Sequence, residues 1–200
     1  MLCHVASPVR LLDVLSPAKA PVGGLVRLDP AFYLGRTFVH WSMTVDRRAT
    51  GWLTTCHHAR VRELLCHALS RFNFVCPAYC LMPDHAHFLF VGCGATSNQK
   101  SAVLLLRKSW NAELRTAGFE LQKQGFDHVL RDDERAKDAF TLVAQYVFAN
   151  PVRANLVGEW QLYPFSGAVV PGYPDMDPRE DDFWPRFWRV YTRLTGIDLE

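Results

Sequence analysis

The sequence predicts an α+β fold, an antiparallel sheet with helices on one face. Three observations carry this. Segments of strand and helix character follow one another as strand, helix, paired strands, helix, strand, helix. Val61, Leu64, Leu65, Ala68, Leu69 and Phe72 recur at i, i+3, i+4, i+7, i+8 and i+11, the stripe of an amphipathic helix. Finally, two apolar runs flank Pro83-Asp84, a turn-forming pair, as the arms of a hairpin would. Two hundred residues, 49% of them hydrophobic, are enough for one substantial core and too few for two large domains.

The elements follow in order. Residues 1–30 hold Pro8, Pro17, Pro21, Gly23-Gly24 and Pro30 with no sustained period and read as an irregular arm. Thr37 to Val45 is β-branched and aromatic and stops at Asp46-Arg47-Arg48, as a first strand would. The helical stripe spans Thr55 to Phe72. Phe74 to Met82 and Ala86 to Val91 form the hairpin, with Pro77 expected at an edge or a bulge. Thr96 and Gln99 suggest a capping box for a helix over about Ser97 to Ala117, with Val103, Leu104, Trp110 and Leu114 inward. On it Lys100, Arg107, Lys108 and Arg115 fall at i, i+7, i+8 and i+15, a basic face.

A short strand or hairpin lies between Phe119 and Leu130. Asp132-Asp133-Glu134 then places favourable charge at the start of a helix. That helix carries Ala139, Leu142, Val143, Tyr146, Val147 and Asn150 on one stripe, and Pro151 marks its end or a break. The expected organisation is an arm over 1–30, one domain over 31–166, and a Pro-rich, acidic and aromatic appendage over 167–200 whose Phe183 to Tyr191 piece packs as a helix or strand.

The net charge of +2 hides an uneven distribution. Residues 1–96 and 97–157 carry +4 and +2, while 158–200 carries −4, so an anionic partner would meet the body. The start lacks a basic segment followed by a long apolar run, and no run is long enough to span a bilayer. The expectation is a cytoplasmic protein with no membrane partner. Six cysteines at scattered spacing read as reduced thiols.

Two segments carry chemistry. In Met82-Pro83-Asp84-His85-Ala86-His87-Phe88 two imidazoles lie two residues apart, and on a strand such side chains point the same way and can grip one ion. In Gln145-Tyr146-Val147-Phe148-Ala149-Asn150-Pro151-Val152-Arg153 a tyrosine and an amide stand one helical turn apart. Either segment alone has a plain structural use, since paired histidines can pack, a tyrosine on an apolar stripe can be a core aromatic, and Asn-Pro can end a helix. Their joint spacing is what a packing role leaves unexplained.

These two segments, with Gly125-Phe126-Asp127-His128-Val129-Leu130-Arg131-Asp132 and Tyr163-Pro164-Phe165-Ser166, resemble the REP-associated branch of the single-tyrosine HUH transposases in order and spacing from about Arg36 to Ser166. The resemblance implies a ferredoxin-like sheet, the HUH endonuclease fold. It implies that His85 and His87 bind a divalent metal, Mg²⁺ or Mn²⁺, with Asn150 as third ligand, and that Tyr146 is the nucleophile. It also implies a substrate of single-stranded DNA beside hairpin repeats, cleaved through a 5′-phosphotyrosine link, and hence a nucleoid-associated protein. Lys100, Arg107, Lys108, Arg115 and Arg153 are the expected DNA contacts, and His128 a bystander or DNA contact. Members of the family differ in oligomeric state, so a monomer or homodimer, and a site within one chain or shared by two, both stay open. Pro-Phe-Ser-Gly stands where the family has Pro-Trp-Ser-Ser, and Asn155 where it has glycine, a position asparagine can fill in left-handed geometry.

Two rival functions stand beside this one. The first is a domesticated or inactive copy that binds hairpin DNA without cutting it. The second is a zinc hydrolase unrelated to DNA, using the His pair with a carboxylate such as Asp84. Cys76-x₃-Cys80 ahead of the His pair also invites a structural zinc site, which would need both cysteines on one side of the strand; small buried hydrophobes is the favoured reading.

Overall fold

The computed structural model describes residues 28–130 and 137–197. The arm up to residue 27 and the helix start at Asp132-Asp133-Glu134 lie outside the described residues. The strands are β1 (Phe38–Thr44), β2 (Phe74–Leu81), β3 (His85–Gly92), β4 (Phe126–Val129) and β5 (Ser166–Val169); the helices are α1 (Thr55–Phe72), α2 (Gln99–Thr116), α3 (Lys137–Arg153) and α4 (Phe183–Thr195).

The five strands form one sheet in the order β4-β1-β3-β2-β5, every neighbouring pair antiparallel. β1 and β2 both oppose β3 and so run parallel to each other, which is why α1 must carry the chain across. By the same argument α2 connects β3 to β4 across β1. This is the expected α+β, ferredoxin-like arrangement. β5, which the sequence did not reveal, extends it beyond β2.

Alternation along the strands sorts their side chains into two cores. Val39, Trp41 and Met43 of β1 and Phe88 and Phe90 of β3 meet Val61, Leu65, Ala68 and Leu69 of α1 and Ala102, Val103, Leu106, Trp110 and Leu114 of α2. The alternate residues Phe38, Leu89 and Val91 meet Val143, Tyr146 and Val147 of α3 and Phe183, Phe187 and Tyr191 of α4. Helices on one face therefore describes α1 and α2, and the second face is covered as well. The reason lies in the tail, where Phe183, Phe187 and Tyr191, spaced four apart, give α4 one aromatic stripe that needs a surface to cover. β5 crosses the junction at 166/167, and Tyr191 donates a hydrogen bond to the Gly92 carbonyl at 3.1 Å.

Local departures from the sequence reading have physical causes. Leu104 is 69% exposed rather than inward, because it sits one residue, or about 100°, off the line of Val103, Leu106, Trp110 and Leu114. Leu142, read on the buried stripe of α3, is likewise 44% exposed. The cap of α2 is Asn98, whose side chain accepts from Ser101 N. Gln99 is instead buried, where it accepts from Trp41 Nε1 and donates to the carbonyls of Thr37 and Phe90. Pro77 sits in an interior strand, at a register shift between Val75 and Ala78 that accommodates its missing N–H. That shift also puts Cys76 in the α1–α2 core and Cys80 in the α3–α4 core, on opposite faces, so the two thiols cannot share one ion. Both are fully buried, and burial holds both protonated.

Pro151 lies inside α3 rather than at its end. A proline at this position leaves the carbonyl of Val147 without its usual donor. The Asn150 side chain fills that role, donating from Nδ2 to Val147 O at 3.1 Å and to Tyr146 O at 2.9 Å. The helix thereby reaches Arg153, after which Asn155 takes φ +55°, the left-handed turn expected of it.

Candidate active site

His85 and His87 open β3 and point to the same side of the sheet, their Nε2 atoms 3.0 Å apart. The Asp84 carboxylate accepts from His85 Nδ1 at 2.6 Å, leaving the His85 Nε2 lone pair aimed inward. Asp84 is held in turn by Arg48 at 2.7 Å. Burial alone would raise the Asp84 carboxyl, but the bonds to His85 and Arg48 outweigh it and hold the group below the usual carboxylate range. His87 is fully buried, and burial, then His40, His85 and Arg153, push its basicity well below that of a free imidazole. The neutral form, the one that can act as a ligand, is thereby favoured.

Tyr146 comes to the same place from α3. Its ring is 3% exposed and stands edge-on to His87 at 6.3 Å and to His40 at 6.1 Å, centroid to centroid. The Arg153 guanidinium lies over the Tyr146 ring at 4.9 Å. Asn150 is one turn beyond Tyr146, and its two hydrogen bonds use only the amide nitrogen. The carbonyl oxygen is thus the atom it has to give to an ion.

The donor set fits a divalent metal. The two Nε2 atoms, 3.0 Å apart, are within hydrogen-bond reach of each other, and the same pair of nitrogens could instead turn to one ion. Two nitrogens each about 2.1 Å from one ion, at roughly a right angle, would stand about 3 Å apart. Among the described residues no three His, Cys, Asp or Glu side chains group as a metal site. A third protein ligand would have to be a group such as the Asn150 amide. Asp84 does not serve, since both its oxygens are engaged, with His85 Nδ1 and with Arg48.

The basic face of α2 is elsewhere, on the opposite side of the sheet from Tyr146. Lys100 lies over the Tyr33 ring at 4.2 Å, Arg115 pairs with Glu120 at 3.3 Å, and Lys108 is exposed. Arg107 donates to the carbonyls of Gln122 and Lys123, clamping the chain ahead of β4. His128 is half-buried on β4, in register with His40.

Sequence reasoning missed His40 and Arg48. His40 interrupts the apolar run Phe38-Val39-His40-Trp41, and a polar residue amid a buried strand must have a partner, which was the available signal. Arg48 gave none, because only the folded turn brings it to Asp84.

Among solved structures, a REP-associated tyrosine transposase bound to a REP hairpin superposes at TM-score 0.58 with 18% identity, over 70% of this chain and 82% of that one. The protein has that transposase's fold. The superposition is of backbones and by itself assigns no side chain of this chain a role. A bacterial tRNA(His) guanylyltransferase-like protein in complex with GTP is similar more loosely, at TM-score 0.44 and 13% identity over 86% of this chain and 93% of that one, and bears on neither fold nor site. No protein-family model and no curated protein matches the chain. No described helix is long and apolar enough to cross a membrane.

Proposed function

We propose that the protein is a metal-dependent endonuclease and strand transferase for single-stranded DNA beside hairpin repeats, with Tyr146 as nucleophile and His85, His87 and Asn150 holding a Mg²⁺ or Mn²⁺ ion. One observation carries the reading: Tyr146 on α3 and the His pair on β3, far apart in sequence, meet within ring-contact distance in a single chain. A packing role would account for the burial of Tyr146, but leaves without a use the pair of imidazole Nε2 atoms gathered beside it. The transposase fold and its hairpin-bound form support the class of substrate.

In this reading the Tyr146 oxygen attacks the phosphorus of a phosphodiester, the bond to the 3′-oxygen breaks, and the strand is left 5′-linked to tyrosine. The phenol proton is lost to solvent and the departing 3′-oxygen gains one, so the step balances. The phosphotyrosine bond keeps the energy of the diester, and a 3′-hydroxyl can attack it to rejoin strands without a nucleotide cofactor. A bound divalent ion would supply positive charge to the non-bridging oxygens. Free tyrosine loses its proton only near pH 10. Arg153, over the ring, is placed to favour the phenolate. The exposed Lys100 and Lys108, with Arg115, offer phosphate contacts on the far side of the sheet, where a bound hairpin could wrap. Arg107 contributes by fixing the turn before β4.

The test is incubation of the purified protein and Tyr146→Phe with labelled single-stranded hairpin repeats from the gene's own flanks, with and without Mn²⁺, run on a denaturing protein gel. A shifted covalent band that needs both Tyr146 and Mn²⁺ is the expected result. Hairpin retention on a native gel with no covalent band under any condition would replace this reading with that of a binding protein.

A further inference from the structure

His40 is a fully buried histidine that no step above uses. It projects from β1 toward the site, and its Nε2 lies 3.0 Å from His87 Nδ1. The two ring planes are 18° apart with centroids 5.1 Å apart, the spacing of imidazoles joined edge to edge by one N–H···N bond. Asp84, His85, His87 and His40 thus form an unbroken chain, each linked to the next through a ring nitrogen.

The direction of the bonds follows from counting protons. An ion held between the Nε2 atoms of His85 and His87 takes a lone pair from each. A neutral imidazole has one N–H, so the proton of each ring must sit on Nδ1. For His85 the acceptor of that Nδ1–H is Asp84. For His87 it is the Nε2 of His40, the group within hydrogen-bond reach of that nitrogen. Held this way, the His87 Nδ1–H fixes the ring with its Nε2 turned toward the ion, as outer partners of metal-binding histidines do.

We propose that His40 is a positioning residue: its Nε2 accepts the Nδ1–H of His87 and thereby keeps the His87 Nε2 lone pair directed at a divalent ion. This rests on the reading of His85 and His87 as metal ligands and adds the group that sets the tautomer of the second. The role requires His40 to be neutral with its own proton on Nδ1, an atom with no hydrogen-bond partner among the described residues. The ring is fully buried, where the uncharged form is favoured. The arrangement is asymmetric. His85 leans on a carboxylate, while His87 leans on an uncharged ring, so the second partner adds no negative charge beside the DNA backbone. Outer partners of this kind commonly set metal affinity within about 10- to 100-fold.

The experiment compares the full chain with His40→Phe, which keeps a ring but no acceptor, and His40→Gln, whose side-chain oxygen can stand near the original Nε2. Mn²⁺ binding is followed by electron paramagnetic resonance of the free ion. The tautomers are read from long-range ¹H–¹⁵N spectra of the Zn²⁺ complex of ring-labelled protein. Expected are Mn²⁺ affinity reduced about 10- to 100-fold in His40→Phe, largely restored in His40→Gln, and a proton on Nδ1 of His87 in the unsubstituted Zn²⁺ complex. Unchanged Mn²⁺ affinity in a folded His40→Phe, or a His87 bound through Nδ1, would overturn the role of His40 while leaving the metal site standing. If the unsubstituted protein binds neither ion, the metal reading itself falls, and this proposal with it. Should His40→Phe fail to fold, the tautomer of the unsubstituted complex and the affinity of His40→Gln still decide the matter.

Discussion

The guanidinium carbon of Arg153 lies 4.9 Å from the centre of the Tyr146 ring, two turns along the same helix. The pair links the end of α3 to the reacting group. Arg153 is exposed, and a cation over an aromatic face at such a site is worth about 0.5–1 kcal/mol, more of it felt by a phenolate than by a phenol. Arg153→Ala should slow formation of the covalent DNA adduct about two- to fivefold, with hairpin affinity on a native gel changed less. Arg153→Lys should recover part of the rate. Equal losses of affinity and rate would instead make Arg153 a simple phosphate contact.

Asn150 has two separable duties. Its Nδ2 atom replaces the donor that Pro151 lacks, and its Oδ1 atom is the proposed metal ligand. Asn150→Asp removes the donor and keeps an oxygen ligand, now charged. Thermal unfolding should therefore fall by the equivalent of about 1–2 kcal/mol, while Mn²⁺ affinity holds or rises. Asn150→Ala should lose on both measurements. A variant with aspartate that binds Mn²⁺ as poorly as alanine would remove Asn150 from the ligand set.

How much of this could be read beforehand depends on how local the cause is. α1 was legible to its ends because Val61, Leu65 and Leu69 face one core at one period; the structure adds the cap, the Thr54 hydroxyl accepting from His57 N. The His85–His87 pair was legible because alternation on a strand is strict. β5 was not, since Ser166-Gly167-Ala168-Val169 has little strand character of its own and pairs only because β2 offers an open edge. The burial of Gln99 against Trp41, Thr37 and Phe90, the commitment of Arg107 to the Gln122–Lys123 turn and the His40–His87 bond all depend on segments distant in sequence. Pattern reading of one segment cannot supply them.

Acid should weaken the fold through His58. Its Nε2 is 2.9 Å from the Tyr79 hydroxyl, which also accepts from Arg62 at 2.7 Å. Burial first, then Arg62 and Arg179, lower the His58 pKa to about 4. Between an unfolded value of about 6.5 and that figure the unfolded chain binds a proton that the folded chain does not, so stability falls as pH falls. The full slope for one proton is about 1.4 kcal/mol per pH unit, and the half-exposed ring should show less than about 1. Urea midpoints measured from pH 7 to 4 should drop less steeply in His58→Gln than in the unsubstituted protein. His40 and His87, also kept neutral by burial, will leave some slope behind. Parallel curves would mean that His58 titrates normally.

The tail should prove necessary to the helix that carries Tyr146. Phe187 is fully buried and lies against Phe140 of α3 with ring planes 9° apart and centroids 6.2 Å apart, and Trp184 and Trp188 close on the same Phe140 ring at 6.0 and 5.1 Å. Arg179 fastens the segment before α4 by donating to the carbonyls of Tyr163 and Ser166. The acidic residues do not face the His pair through any of these contacts, since Asp175 and Asp177 pair with Arg186 and Arg179 of the tail itself. Truncating a large buried aromatic costs about 3–5 kcal/mol, a large share of a typical domain's 5–15. Phe187→Ala should lower the unfolding free energy from urea titration by that amount, and the adduct rate should fall with it at temperatures where the protein is still mostly folded, because α3 loses its outer packing. Leu194→Ala, at a residue 42% exposed, serves as the control and should stay within about 0.5 kcal/mol. A Phe187→Ala protein that is destabilised yet forms adduct at the full rate would show that α4 supports the fold without positioning Tyr146.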